Sequence, residues 1–163
     1  MNDTVLIEIN DIKQVTSISD NVDVEQLSPF LFTSQEMYIR PVVGDALMDA
    51  MVASVASGGT GYTSLINNYI LYPLAYSTWY SSAPFLHMKT QKKGIVKQNS
   101  DNSDNVSLDE WTVYSQRIEN NMTFYLRRLK TYLDTAAAKA LYPLYCTTDQ
   151  ISPKNGSSIF LGF

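Results

Sequence analysis

From Ala50 to Met88 the chain carries no Asp, Glu, Lys or Arg, a run of 39 residues. Charged side chains collect where protein meets water, so a block this poor in charge cannot form ordinary solvated surface. It has to be covered, either by the chain's own core or by another chain. It does not read as a membrane span. Asn67, Asn68, Pro73, Ser77, Thr78, Ser81 and Ser82 interrupt any stretch of about 20 apolar residues that a bilayer crossing needs. The aromatic residues of the block (Tyr62, Tyr69, Tyr72, Tyr76, Trp79, Tyr80 and Phe85) have no cations between them. They read as packing rather than as a platform for stacking bases.

With 163 residues, one domain is the natural expectation, long enough to bury about two thirds of its unfolded surface. The net charge of −4 argues against a general nucleic-acid binder. That charge is unevenly spread. Residues 1–60 hold nine acids against Lys13 and Arg40, whereas residues 89–140 hold nine bases against six acids. Such a division fits either an internal match between packed elements or self-association, in which one face of a subunit meets the opposite face of the next. Cys146 is the single cysteine, so no disulfide closes within the chain and an intracellular origin is expected. The first eleven residues lack the basic and apolar regions of a signal peptide.

Periodicity predicts a mainly α fold: a bundle of about four helices with one long spine helix and a small β element from residues 5–9, 94–97 or the tail. Val5 to Ile9 reads as an extended arm or edge strand, and residues 11–23 as one short helical turn and a loop. A first helix starts at the Asp23 cap or at Ser28-Pro29 and ends at Arg40, before Pro41. A second runs from Asp45 to Ser57 and stops at Gly58-Gly59-Thr60-Gly61. A third spans Tyr62 to Ser81, kinked or divided at Pro73. Residues 98–106 are nearly all Asn, Ser and Asp, and read as an exposed, mobile loop. Ser107 and Glu110 form a capping box for the spine helix, 108–141. Its apolar stripe is Trp111, Tyr114, Ile118, Met122, Tyr125, Leu129, Leu133, Ala136 and Ala140. The organisation is thus a helical domain over 1–146 and a C-terminal arm over 147–163.

No constellation carries catalysis, a cofactor or a metal. His87 is the only histidine, and it lies far in sequence from Cys146. Asp101, Ser103, Asn105, Ser107 and Asp109 alternate like the start of a calcium loop. Val106 and Thr112, however, occupy the positions that need Gly and a bidentate Glu. Two groups of residues point to contact instead. Arg127, Arg128 and Lys130 suit phosphates or a neighbour's carboxylates, although a solvated face paired with Asp134 explains them too. Ile159, Phe160, Leu161 and Phe163 form an apolar terminus that needs covering, by the chain's own sheet or by a neighbour.

The stretch Ser34-Gln-Glu-Met-Tyr-Ile-Arg-Pro-Val-Val-Gly-Asp-Ala-Leu-Met-Asp-Ala-Met51 resembles the A-Q…I-P-x-L-G-x-x-L-Y-D-x-L segment of head–tail connector (adaptor) proteins of tailed bacteriophages. The likeness is nearest to a connector-like family of crAss-like phages. Lys93-Gly-Ile-Val96, the polar loop and Tyr125–Leu133 on the long helix extend it over most of the chain. Ser34, Val43 and Met48 depart from the usual Ala, Leu and Tyr. The resemblance implies a non-enzymatic virion protein at the head–tail junction, assembled in the host cytoplasm. It implies a homo-oligomeric, dodecameric ring beneath the portal protein that extends the DNA channel and presents a surface to the next ring or tail protein. DNA is then passing cargo, and no membrane is involved. Arg127, Arg128, Lys130 and the apolar terminus become candidates for the subunit or portal interface. The alternative is a small helical regulatory or scaffolding protein that binds one phage or host partner.

Overall fold

The computed structural model describes residues 4–18, 22–91, 94–97 and 108–145. The chain is mainly α-helical. In order, the α-helices are α1 (Ile9–Val15), α2 (Val24–Ser34), α3 (Arg40–Val43), α4 (Asp45–Ala56), α5 (Thr63–Leu65), α6 (Leu71–His87), α7 (Leu108–Leu133) and α8 (Ala136–Leu141). Two π-helical turns, Gln35–Ile39 and Ile66–Ile70, fuse α2 to α3 and α5 to α6. Between α6 and α7 the backbone of β1 (Met88–Gln91) pairs antiparallel with β2 (Gly94–Lys97), Met88 opposite Lys97.

From Leu65 to Ala83 the charge-free block is largely covered by the chain's own core, whereas much of residues 53–64 and Phe85 are exposed. It forms α5, the second π turn and α6, and α6 is the central element, with its largest interfaces to α7 and α2. Leu65, Ile70, Leu74, Ala75, Ser77, Thr78 and Ser82 are fully buried. The polar members of that set are satisfied within the helix: Ser77 and Thr78 donate to the Leu74 carbonyl at 3.0 and 2.8 Å, and Ser82 to that of Trp79 at 3.2 Å. Small residues on α6 let its neighbours approach closely. Where α2 crosses, the Ser34 and Ser81 hydroxyls are 3.3 Å apart.

Both π turns sit just upstream of a proline, which explains two corrections to the sequence reading. The first helix does not end at Arg40. It widens at Gln35–Ile39, where the Arg40 N–H bonds five residues back to the Gln35 carbonyl, and it then carries Pro41 inside α3. The third does not break at Pro73. It widens at Ile66–Ile70 and runs through Pro73 to His87. A proline ring in a regular helix strikes the carbonyl four residues back and leaves it without a donor. Those carbonyls, on Met37 and Tyr69, both lie in the wider turns, where that clash is relieved.

Gly44 then turns the chain. Its φ of 83° and ψ of 155° belong to a region that is essentially open only to glycine. α4 folds back from it with Leu47, Met48 and Met51 fully buried. The end of α4 is closed by Gly58, at φ 71°: Gly58 N–H bonds to Val55 and Gly59 N–H to Ser54, the paired hydrogen bonds of a Schellman motif.

Two further expectations are corrected. Residues 5–9 form no strand, because Thr4–Glu8 is irregular and Ile9 already opens α1. Leu6 and Ile7 are buried, and Asp11 accepts from the Glu8 N–H at 2.9 Å to start the helix. The long helix ends at Leu133 rather than 141, a length of about 39 Å. Asp134 and Thr135 interrupt it, and the Thr135 hydroxyl caps α8 by accepting from Ala138 N–H. The break shifts the helical phase, so Ala136 and Ala140 are exposed while Ala138 is buried. On α7 the buried line is Ile118, Met122, Leu126, Leu129 and Leu133, and Trp111 is half-buried at its start. The loop over 98–106, the Ser107 cap and the 147–163 arm lie outside the described residues.

Candidate subunit interface

α6 and α7 meet along a seam of aromatic rings. Tyr62 stacks on Tyr142 at 6.0 Å, Tyr69 on Tyr132 at 3.7 Å, and Tyr125 sits between Tyr72 and Tyr76 at 4.9 and 5.6 Å. Trp79 meets Tyr114 edge to face at 5.7 Å. Partners ascend on one helix as they descend on the other, so the two run antiparallel. The chargeless aromatics are therefore matched by aromatics of the chain itself, each pair worth about 0.5–1.5 kcal/mol beyond its buried area. The sequence carried a signal for this. Tyr114, Tyr125 and Tyr132 recur at eleven and seven residues, which returns them to one helical face. Their pairing with Tyr69, Tyr72 and Tyr76 was not read from it.

The seam has a pH signature. Burial pushes the phenols of Tyr76, Tyr114 and Tyr142 above their ordinary value, and does the same for Tyr38 and Tyr80 nearby. At Tyr114 a hydrogen bond with Trp79 opposes the shift without cancelling it. The fold thus favours neutral phenols that an unfolded chain would ionise near pH 10. The stabilisation is complete below that pH and is lost as pH rises through the folded values. In a spectrophotometric titration, phenolate absorbance is expected to lag above pH 10 and then rise together with loss of far-UV circular dichroism. All tyrosines titrating near pH 10 with helicity intact would contradict the packing of the seam.

Outside the core, charge is arranged locally. Arg40 is the hub of an acidic cluster on α3 and α4. It pairs closely with Glu36, reaches Asp49 at 2.8 Å and Asp45 at 3.4 Å, and Glu36 above all holds its guanidinium in the charged form. On α7, Lys130 pairs with Asp134 at 3.0 Å, and the Tyr145 hydroxyl donates to the same carboxylate at 2.9 Å. Burial disfavours the Asp134 carboxylate, but these two hydrogen bonds outweigh it and hold the group below the usual carboxylate range.

The sequence-derived contact residues separate in the structure. Arg127 and Arg128 are exposed, and the Arg128 guanidinium lies over the Tyr69 ring at 5.3 Å. Lys130 is held by Asp134. Ile159, Phe160, Leu161 and Phe163 lie outside the described residues. Exposed apolar residues missed by the sequence reading include Val113 and Phe124 on the outer face of α7. A groove of about 1140 Å³ lies between Val5–Asp11, α2 and Val55, with mostly apolar walls. Among the described residues, no group of three or more His, Cys, Asp or Glu could hold a metal ion, and no helix is long and apolar enough to cross a membrane.

A protein-family model matches residues 39–155, from the end of the first π turn through α8 and beyond. That span is well over half of the chain. The chain belongs to this family, a family of unknown function (DUF6712). The DUF6712 match takes in the Gly44 turn, α4, the aromatic seam and α7, while α1 and α2 precede it. No curated protein matches the chain. No solved structure matches it either.

Proposed function

We propose that this chain is the repeating subunit of a ring at the neck of a tailed bacteriophage, joining the portal protein to the tail and extending the DNA channel. The observation that carries the ring is the separation of charge across α6. α2 and α7 each have a large interface with α6 and none of comparable size with each other, so they flank it on different sides. The acids Glu8, Asp11, Asp23 and Glu25 outnumber Lys13 on α1, α2 and their caps, whereas the acids of α7 (Asp109, Glu110 and Glu119) lie in its first half and the bases Arg127, Arg128 and Lys130 cluster in its second. Asp45 and Asp49 add a second exposed acidic surface on α4. A subunit with acidic surfaces separate from the basic second half of α7 favours head-to-tail contact, and head-to-tail contacts close into rings when the rotation allows.

The neck assignment rests on the connector resemblance, and the geometry of the Ser34–Met51 stretch supports it. Gly44 makes the turn after α3, which carries Pro41, and Leu47 and Met51 are fully buried. A net charge of −4 suits a channel through which DNA slides without sticking. The reading contains no enzymatic step.

Native mass spectrometry and negative-stain imaging of the full chain test the proposal. Closed rings of about a dozen copies are expected, alone or with portal protein, in line with closed cyclic symmetry. A chain that stays monomeric at every concentration, with portal protein present as well as absent, would overturn it.

A further inference from the structure

Resting on the ring reading, we infer that two adjacent subunits meet through the outer face of α7 on one copy and the outer face of α4 on the next. On α7, Val113, Arg117, Phe124 and Arg128 are spaced by four, seven and four residues, which returns them to one side of the helix. All four are exposed, Val113 by 57% and Phe124 by 63%. Two large apolar side chains alternating with two arginines, on the face turned away from the core, have the composition of an interface centre rather than of a solvated helix.

The face that fits them is on α4. Asp45 and Asp49 are 84% and 70% exposed at the side chain, and Arg40 offsets only one charge of the Glu36, Asp45 and Asp49 set. Ala53 and Ala56 continue the same exposed side with no bulk. The spacings match. Arg128 to Phe124 and Asp49 to Ala53 are each four residues, about 6 Å along a helix axis. Docked antiparallel, Arg128 lies opposite Asp49 and the Phe124 ring rests on Ala53, while Arg117 and Asp45 fall at opposite ends outside this paired stretch and add to the overall sign of each face. Arg128 already stands over Tyr69, so its approach to a carboxylate needs little further ordering. Both faces fall within the DUF6712 match.

Reciprocal charge reversal tests this. Arg117→Glu with Arg128→Glu makes both faces acidic, and Asp45→Lys with Asp49→Lys makes both basic. Each double variant is expected to remain monomeric where the wild type assembles, and an equimolar mixture is expected to recover rings of alternating subunits. Wild-type assembly is expected to weaken with added salt. Phe124→Asp, at an exposed site that leaves the fold intact, is expected to abolish assembly by itself. Variants that assemble as well as the wild type, or folded variants that do not recover on mixing, overturn this pairing of faces and leave the ring reading standing. A wild-type chain that forms no ring overturns both.

Discussion

Replacing Trp79 with alanine is expected to cost about 3–5 kcal/mol of stability. Trp79 lies on the central helix, is only 7% exposed, and packs against Tyr76 at 6.0 Å and Tyr114 at 5.7 Å. Removing it opens a cavity where α6 faces the first half of α7. That space cannot collapse easily, because α6 is held by α2 on one side and by the tyrosine seam on the other. Trp79→Phe keeps most of the volume and the edge-to-face contact, so a much smaller loss is expected. Denaturant unfolding followed by far-UV circular dichroism measures both. A loss below about 1 kcal/mol for the alanine variant would mean that the indole does not fill the core. Trp111, half-buried at the start of α7, is the natural comparison and should lose less.

The same contrast shows what the sequence made legible. The apolar stripe of α7 identified the helix because an i, i+3, i+4 pattern can be buried only on one helical face. It ranked Trp111 with Ile118 because periodicity reports a direction and not a depth. Trp111 lies near the end of the packed length, while Ile118 faces the middle of α6. The end of the helix was misjudged for a related reason. Ala136 and Ala140 continue the pattern, but alanine fits buried and exposed positions alike, and the Thr135 cap that restarts the helix had no competitor to reveal it. Pro41 reads as a stop and Pro73 as a kink or division because a proline normally ends or bends a helix. The π turns that absorb them are backbone adjustments with no residue signature. The contact residues were half legible. Arg128 was visible as charge, but its partnership with Val113, Arg117 and Phe124 on one outer face depends on which side of α7 the core occupies.

Gln35→Ala is expected to cost about 2–4 kcal/mol, through hydrogen bonds rather than volume. Gln35 is fully buried in the first π turn. Its Oε1 accepts from the Leu6 N–H at 2.9 Å and its Nε2 donates to the Thr4 carbonyl at 3.2 Å. One side-chain amide thereby does for residues 4–6 what a neighbouring strand would do, which is why an apolar β-branched stretch is held without entering a sheet. Nothing in the sequence announces this. A glutamine in a helix reads as surface, and its partner is backbone 29 residues away. Truncation leaves both backbone groups unpaired, one of them at the buried Leu6. Gln35→Leu separates the two contributions, since it restores bulk but neither hydrogen bond. If the amide matters, the leucine variant loses nearly as much stability as the alanine variant, and hydrogen exchange at the Leu6 amide accelerates in both while Leu74 and Leu129 in the core stay protected. Release of Thr4–Glu8 would also remove one wall of the groove between that segment and α2. A leucine variant as stable as the wild type would show instead that Gln35 only fills space, and that Leu6 and Ile7 hold the N-terminal segment by their own burial.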